Sequence, residues 1–143
     1  MQKYAFYLKM FAPTVLRVGM VGIVIWFGSQ ELLHPLMWQG YIPESVVTMS
    51  HLNANILVHI NGIFEVIFGL ALLLGIQTRF VAFLLTIHMF DIAYVVGYSP
   101  MGMRDLGLSI ALLSVFMQGP SPLSVDMFKK NSEEESPSLE VLN

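Results

Sequence analysis

The chain has no cysteine among its 143 residues. That excludes disulfides, thiolate metal sites, iron–sulfur clusters and any thiol relay. Charge is scarce as well. Asp, Glu, Lys and Arg together make up 12% of the sequence, about half the share found in soluble domains, so the surface cannot be mostly wet. No basic patch is present to hold a nucleic acid. The net charge of −3 comes mainly from the C-terminal NSEEESPSLEVLN, and the polar, acidic composition there predicts a mobile tail over 129–143. The N-terminal MQKYAFYLKMFAP lacks a small-residue cleavage site, which predicts a retained first helix and not a removed signal.

What the chain does have is apolar length. Hydrophobic residues reach 55% and the mean hydropathy is +0.67. Four apolar runs, roughly 14–33, 56–74, 80–96 and 105–117, are bounded by Gly, Pro or charge. A helix needs about 20 apolar residues to cross a bilayer, with a lower limit near 17. The fourth run reaches this only if residues 100–104 or 119–123 enter the interface. None of the runs alternates apolar and polar residues, which argues against a β-barrel. The expected fold is therefore all-α, an integral membrane antiparallel bundle of four spanning helices over 1–128, with left-handed packing.

The loops carry an asymmetry of charge. Lys3, Lys9 and Arg17 flank the first span, Arg79 sits in the turn between the second and third, and Lys129 and Lys130 follow the fourth. The stretch 34–55 has no Lys or Arg. The positive-inside rule then places both termini and the Arg79 turn in the cytoplasm, in a multi-pass protein of the cytoplasmic membrane. Arg104 is the one dissenting charge, and Asp91 and Glu31 are the acids expected to compensate it. The first loop, HPLMWQGYIPESVVTMSHLNAN, is too long for a plain connector. Its Trp38 and Tyr41 predict an interfacial anchor, with a short surface helix and a lid over a ligand site as the further reading.

In the second span Glu65 interrupts the run NGIFEVIFGLALLLG. It shares a stripe with Gly62, Gly69 and Leu72, and His59 lies one turn earlier. The small residues mark a packing face, so Glu65 is expected inside the bundle. Comparable stripes are Thr14, Arg17, Val21, Val24, Gly28 and Glu31 in the first span and Leu84, His88, Asp91, Val95 and Tyr98 in the third. In the fourth they are Arg104, Gly107, Ala111, Ser114 and Gln118. Ionisable groups in a membrane cost several kcal/mol unless paired or hydrated. Glu65, His88, Asp91, Arg104, His59, Glu31 and Arg17 are thus the candidate polar interior. They are expected to serve either as register-fixing pairs or as a proton-accessible or ligand-binding cavity. By helix rise Glu65 and His88 are level near the midplane. Glu65 is expected either protonated or paired with His88, Arg17 or Arg104. His59 and His88 differ by roughly 8 Å in depth, which argues against a haem held between them. The absence of a Glu-x-x-His pair argues against a metal centre built on Glu65, His88 and Asp91.

Three segments carry a resemblance. LRVGMVGIVIWFGSQELL, NGIFEVIFGLALLLGIQTRFVAFLL and RDLGLSIALLSVFMQGPSPLSVD resemble the spans of the DoxX family of small four-helix membrane proteins, over roughly residues 16–126. The resemblance implies membership of, or association with, a membrane oxidoreductase assembly, in contact with a membrane or soluble redox protein and with quinone. It transfers no catalytic set. No flavin, haem or thiol motif is present, so a quinone or a partner chain would have to carry electrons, and no covalently bound cofactor is expected. Beyond the lipid bilayer itself, a homo-oligomer is a further expected partnership. Two other functions stay open on the residues: a stand-alone binder or carrier of a small solute or lipid-like ligand, which requires a cavity reaching one membrane face, and a scaffold, which requires a fully packed interior.

Overall fold

The computed structural model describes residues 2–135. Six α-helices run in order: α1 (Gln2–Leu33), α2 (Glu44–Ser50), α3 (Ala54–Leu74), α4 (Thr78–Val96), α5 (Pro100–Gln118) and α6 (Val125–Glu135). Four of them are long and apolar enough to cross a membrane, over Met10–Leu33, Ala54–Leu74, Thr78–Val96 and Pro100–Gln118. The fourth span reaches its length because residues 100–104 join the helix. Pro100 takes the first helical turn, where its missing N–H is no loss, and the Ser99 hydroxyl caps it by accepting from Gly102 N at 3.1 Å. Asn53 caps α3 in the same way, accepting from Ile56 N at 2.9 Å. Gly75 ends α3 with φ +71. The N–H groups of Gly75 and Ile76 return to Leu72 O and Ala71 O, which closes the last carbonyls of the helix.

The helices pair as α1 with α3 and α4 with α5, and the two pairs meet more sparingly. The α1–α3 seam is close because two glycines face each other. A Cβ on Gly62 would lie 2.7 Å from Gly28 O, and one on Gly28 would lie 2.7 Å from Glu65 Cβ. The core between the pairs is apolar, built from Val21, Val24, Leu72, Leu85 and Leu112 among others. Outside, Ile60, Ile63, Ile67 and Leu70 of α3 and Phe80, Phe83, Ile87 and Phe90 of α4 are exposed in continuous stripes. In water such stripes would be a liability; in a bilayer they are the solvated face.

On α1 and α3 the buried residues lie on the anticipated stripes, except that Val58 and not His59 is buried one turn before Gly62. On α4 and α5 the inward faces are rotated. α4 buries Thr78, Val81, Ala82, Leu85 and Met89. His88 is only half-buried, Asp91 is exposed, and Tyr98 is 98% exposed. α5 buries Gly102, Asp105, Leu108, Ser109, Leu112 and Val115, so the inward charged residue is Asp105, next in sequence to Arg104. Small side chains at Thr78, Ala82, Gly102 and Ser109 let these two helices pack closely, which outweighs burying the polar stripe.

The first loop folds as two 3-10 turns, Pro35–Met37 and Gln39–Tyr41, followed by α2. α6 takes in the start of the anticipated tail through Glu135. The rest of that tail, 136–143, lies outside the described residues.

Candidate functional site

Polar groups gather at both ends of the bundle. At the end bearing the termini, Arg17 is 2% exposed and its Nη2 donates to Leu123 O at 2.8 Å. Asp126 accepts from Gln77 N (2.9 Å), Thr78 N (2.7 Å) and Thr78 Oγ1 (2.7 Å). It thereby caps α4 from outside the helix, where a negative charge also complements the macrodipole. Its own N–H donates to Gly75 O at 3.1 Å. Burial pushes the Asp126 carboxyl up; the hydrogen bonds from Thr78 and Gln77, with Lys129 nearby, outweigh that and hold it below its ordinary value. These contacts clamp the segment after α5 onto the α3–α4 turn. Arg17 therefore belongs to this clamp and not to the polar interior at the other end.

At the end bearing the first loop, a cavity of about 380 Å³ lies between the helix pairs. This is within the range of small-ligand sites, towards its lower end. Its walls are mostly apolar, from Val58 and Phe64 of α3, Ile92, Val95 and Val96 of α4, and Met101 of α5. Trp38, Tyr41, Ile42 and Val46 of the first loop line it as well, so the loop roofs a cavity, as in the lid reading. Ile60 and Asp91 are both lining and exposed. Tyr41 of the roof is lining and exposed too, so the cavity is open both at the roof and between α3 and α4.

Two polar networks border it. In the first, Asn61 Nδ2 donates to Glu31 Oε2 at 2.7 Å and to Glu65 Oε1 at 3.2 Å. Glu65 is 3% exposed and does not itself line the cavity. It lies behind Asn61 and His88, with Oε2 directed at the space left by Gly28, since a Cβ there would stand 3.2 Å from it. His88 Nε2 is 3.8 Å from Glu65 Oε1, too far for a hydrogen bond, and the imidazole packs against Phe64 with centroids 4.3 Å apart and the rings tilted by 38°. In the second network, Arg104 Nε and Nη2 both reach Asp105 Oδ1 at 2.6 Å. The guanidinium lies 3.7 Å over the Phe27 ring, a cation–π contact. Phe27 in turn meets Trp38 edge-on at 5.8 Å, and Trp38 meets Tyr41 at 6.1 Å. The roof is thereby tied to the α5 ion pair through two aromatic contacts.

The structure thus brings Glu31, Glu65, His88 and Arg104 together and leaves Asp91 on the rim. Arg104 pairs with Asp105, and Glu31 lies within its electrostatic reach; Asp91 forms no ion pair with it, which corrects that part of the expectation. His59 is not among the residues lining the cavity; its Nδ1 lies 2.8 Å from Asn55 O, within its own helix. Two residues were not among the candidates. Asn61, four residues before Glu65, was detectable as its helical neighbour, and Asp105 through its spacing with Gly102, Ser109 and Leu112. Glu65 Oε2, His88 Nε2 and Asp105 Oδ2 are buried without a hydrogen-bond partner, which is costly in a low-dielectric interior.

No curated protein and no solved structure matches the chain. A family model described as DoxX matches residues 12–97, from within α1 to the end of α4, and the fourth span with Arg104 and Asp105 lies beyond it. With more than half of its length matched, the chain belongs to the DoxX family.

Proposed function

We propose that the protein is the membrane-embedded ligand-binding subunit of an oxidoreductase assembly, and that its cavity takes the ring of a quinone-class lipid. The observation that supports this is the cavity itself: apolar walls, aromatic faces at Phe64 and Trp38, an opening beside Ile60 and Asp91, and polar side chains of Glu31, Asn61, His88 and Arg104 in its lining. Those features fit a flat ring with polar edges and an apolar tail. A fully packed scaffold would have no such space. A bound quinone would supply two-electron chemistry, with electrons from a partner chain. His88 lines the cavity and Glu65 lies behind it, so the pair is placed to pass a proton between the ligand and the bundle interior. The sideways opening also favours a second reading, a stand-alone binder or carrier of a lipid-like ligand. In either case the proposed location is the cytoplasmic membrane with both termini in the cytoplasm, as the charges of the loops suggest.

Purification in mild detergent, with mass spectrometry of co-purifying lipids and proteins, tests the proposal. Enrichment of a quinone together with a redox protein supports the subunit reading, and a ring lipid alone supports the carrier. No enrichment over bulk lipid contradicts both. Glu65→Gln keeps shape and hydrogen bonding but cannot titrate. A variant that folds normally yet loses the in vivo redox phenotype supports proton chemistry at Glu65, whereas full activity leaves Glu65 as a structural contact.

A further inference from the structure

We infer that the cavity exchanges protons with one side of the membrane only, the side of the first loop. This rests on the reading of the cavity as a ring-lipid site and deepens it. Reduction of a quinone by two electrons from a partner chain forms two O–H bonds and consumes two protons. The side that supplies them decides how the reaction couples to a proton gradient.

The inference comes from where titratable groups stand along the bundle. Every element around the cavity brings at least one. Tyr41 comes from the first loop, Glu31 from α1, His88 and Asp91 from α4, and Arg104 and Asp105 from α5. Glu65 of α3 lies behind His88. Towards the end bearing the termini the pattern stops. Residues 18–30 of α1, 66–74 of α3, 80–87 of α4 and 106–118 of α5 contain no titratable side chain. The shortest of these stretches, 80–87, spans about 12 Å along its helix. The space between the helices is filled there by Val21, Val24, Leu72, Leu85 and Leu112, each 0% exposed. A buried water needs polar partners, and these side chains offer none. A proton therefore has neither a side chain nor a water to rest on across that layer.

Towards the first loop the cavity is open. It reaches the surface at the roof beside Tyr41 and between α3 and α4 beside Asp91. Asp91 is an exposed carboxylate, and a charge at a membrane surface draws water to it. Glu65 is the inner end of the route. Asn61 ties it to Glu31 by bonds of 3.2 and 2.7 Å, and Glu31 lines the cavity, so the network leads back to the roof.

The test uses thiol chemistry on a chain with no cysteine of its own. Ile92 lies on the α4 wall of the cavity. The thiol of Ile92→Cys reacts with N-ethylmaleimide as its thiolate, and below the thiol pKa the thiolate fraction changes about tenfold per pH unit. N-ethylmaleimide crosses the bilayer, so the rate reports proton activity at the site and not the side from which the reagent comes. The full-length variant is reconstituted in one orientation in sealed vesicles, and the pH is changed on one side at a time. The inference expects the rate to rise about tenfold per unit on the first-loop side and to ignore the side of the termini. Ser45→Cys and Lys129→Cys, one on each side, give the two references. A rate that follows the side of the termini, or both sides alike, overturns the inference. Should Ile92→Cys fail to fold, Val58→Cys on the α3 wall makes the same measurement. A separate arm, at equal pH on both sides, adds a fully substituted decyl quinone, which has no free ring position for the thiol to attack. Slower labelling of Ile92→Cys upholds the ring-lipid reading, whatever the pH arm shows. No protection overturns that reading, and with it the ring's place in the inference, even where the rate follows the first-loop side.

Discussion

Gly62→Ala adds a single methyl group at the α1–α3 seam. Its carbon would lie 2.7 Å from Gly28 O, 3.0 Å from Leu32 Cγ and 3.1 Å from Glu31 Cβ. Ordinary contact begins at 3.4 Å, so α1 must retreat by more than half an ångström or the helices must shear. Overpacking of this kind costs about 1–3 kcal/mol. Removing a mid-helix glycine returns up to about 1 kcal/mol. A net destabilisation of about 1–2 kcal/mol is expected. Gly22→Ala is the matched control, since nothing lies within 4 Å of a Cβ at that position on α1, and it should be neutral or mildly stabilising. Reversible unfolding in mixed micelles, titrated with a denaturing detergent, measures both. The retreat of α1 also stretches the 2.7 Å bond from Asn61 to Glu31, so ligand binding should weaken in Gly62→Ala and not in Gly22→Ala. Equal stability of the two variants would refute the close crossing.

Arg104→Gln leaves Asp105 buried without its cation and should destabilise the fold by about 3 kcal/mol; a double-mutant cycle should show coupling with Asp105→Asn and none with Asp91→Asn. Arg17→Met removes the bond to Leu123 O and should cost about 1–3 kcal/mol, with limited trypsinolysis at Lys129 faster than in the parent chain. For Asp126 the folded-state pKa lies below the ordinary value, so its contribution is present above the unfolded value of about 3.9 and is lost as pH falls through the lower folded one. Asp126→Asn should therefore be less stable than the parent at neutral pH, with the gap closing below about pH 4 in thermal melts; a constant gap would mean the carboxylate does not cap α4.

The two halves of the bundle differed in how far they could be read in advance. In α1 and α3, glycines and polar residues share one stripe, so Gly28, Glu31, Gly62 and Glu65 mark the seam without ambiguity. α4 and α5 are apolar nearly all round, and polarity gave the wrong guide. The helices close on Ala82, Gly102 and Ser109, while His88, Asp91 and Arg104 flank the gap this leaves. Adjacent Arg104 and Asp105 differ by one residue, about 100° around a helix, and heptad spacing alone could not say which faced inward. Asn61 carries no charge and so gave no electrostatic signal, although it joins two carboxyls. The roof over the cavity depends on Trp38 meeting Phe27, a contact between a loop and a helix that no periodicity encodes.

The cavity is the centre of the functional account, and photolabelling tests it most directly. An aryl-azide quinone analogue is irradiated with the full chain in lipid nanodiscs, with and without excess decyl quinone, and adducts are mapped by mass spectrometry. The account predicts adducts on Trp38, Phe64 and the stretch of α4 from His88 to Val95, suppressed by the competitor and by Val95→Trp, which fills the space. Adducts confined to lipid-facing residues such as Ile63, Ile67 and Phe83, and insensitive to both, would contradict it.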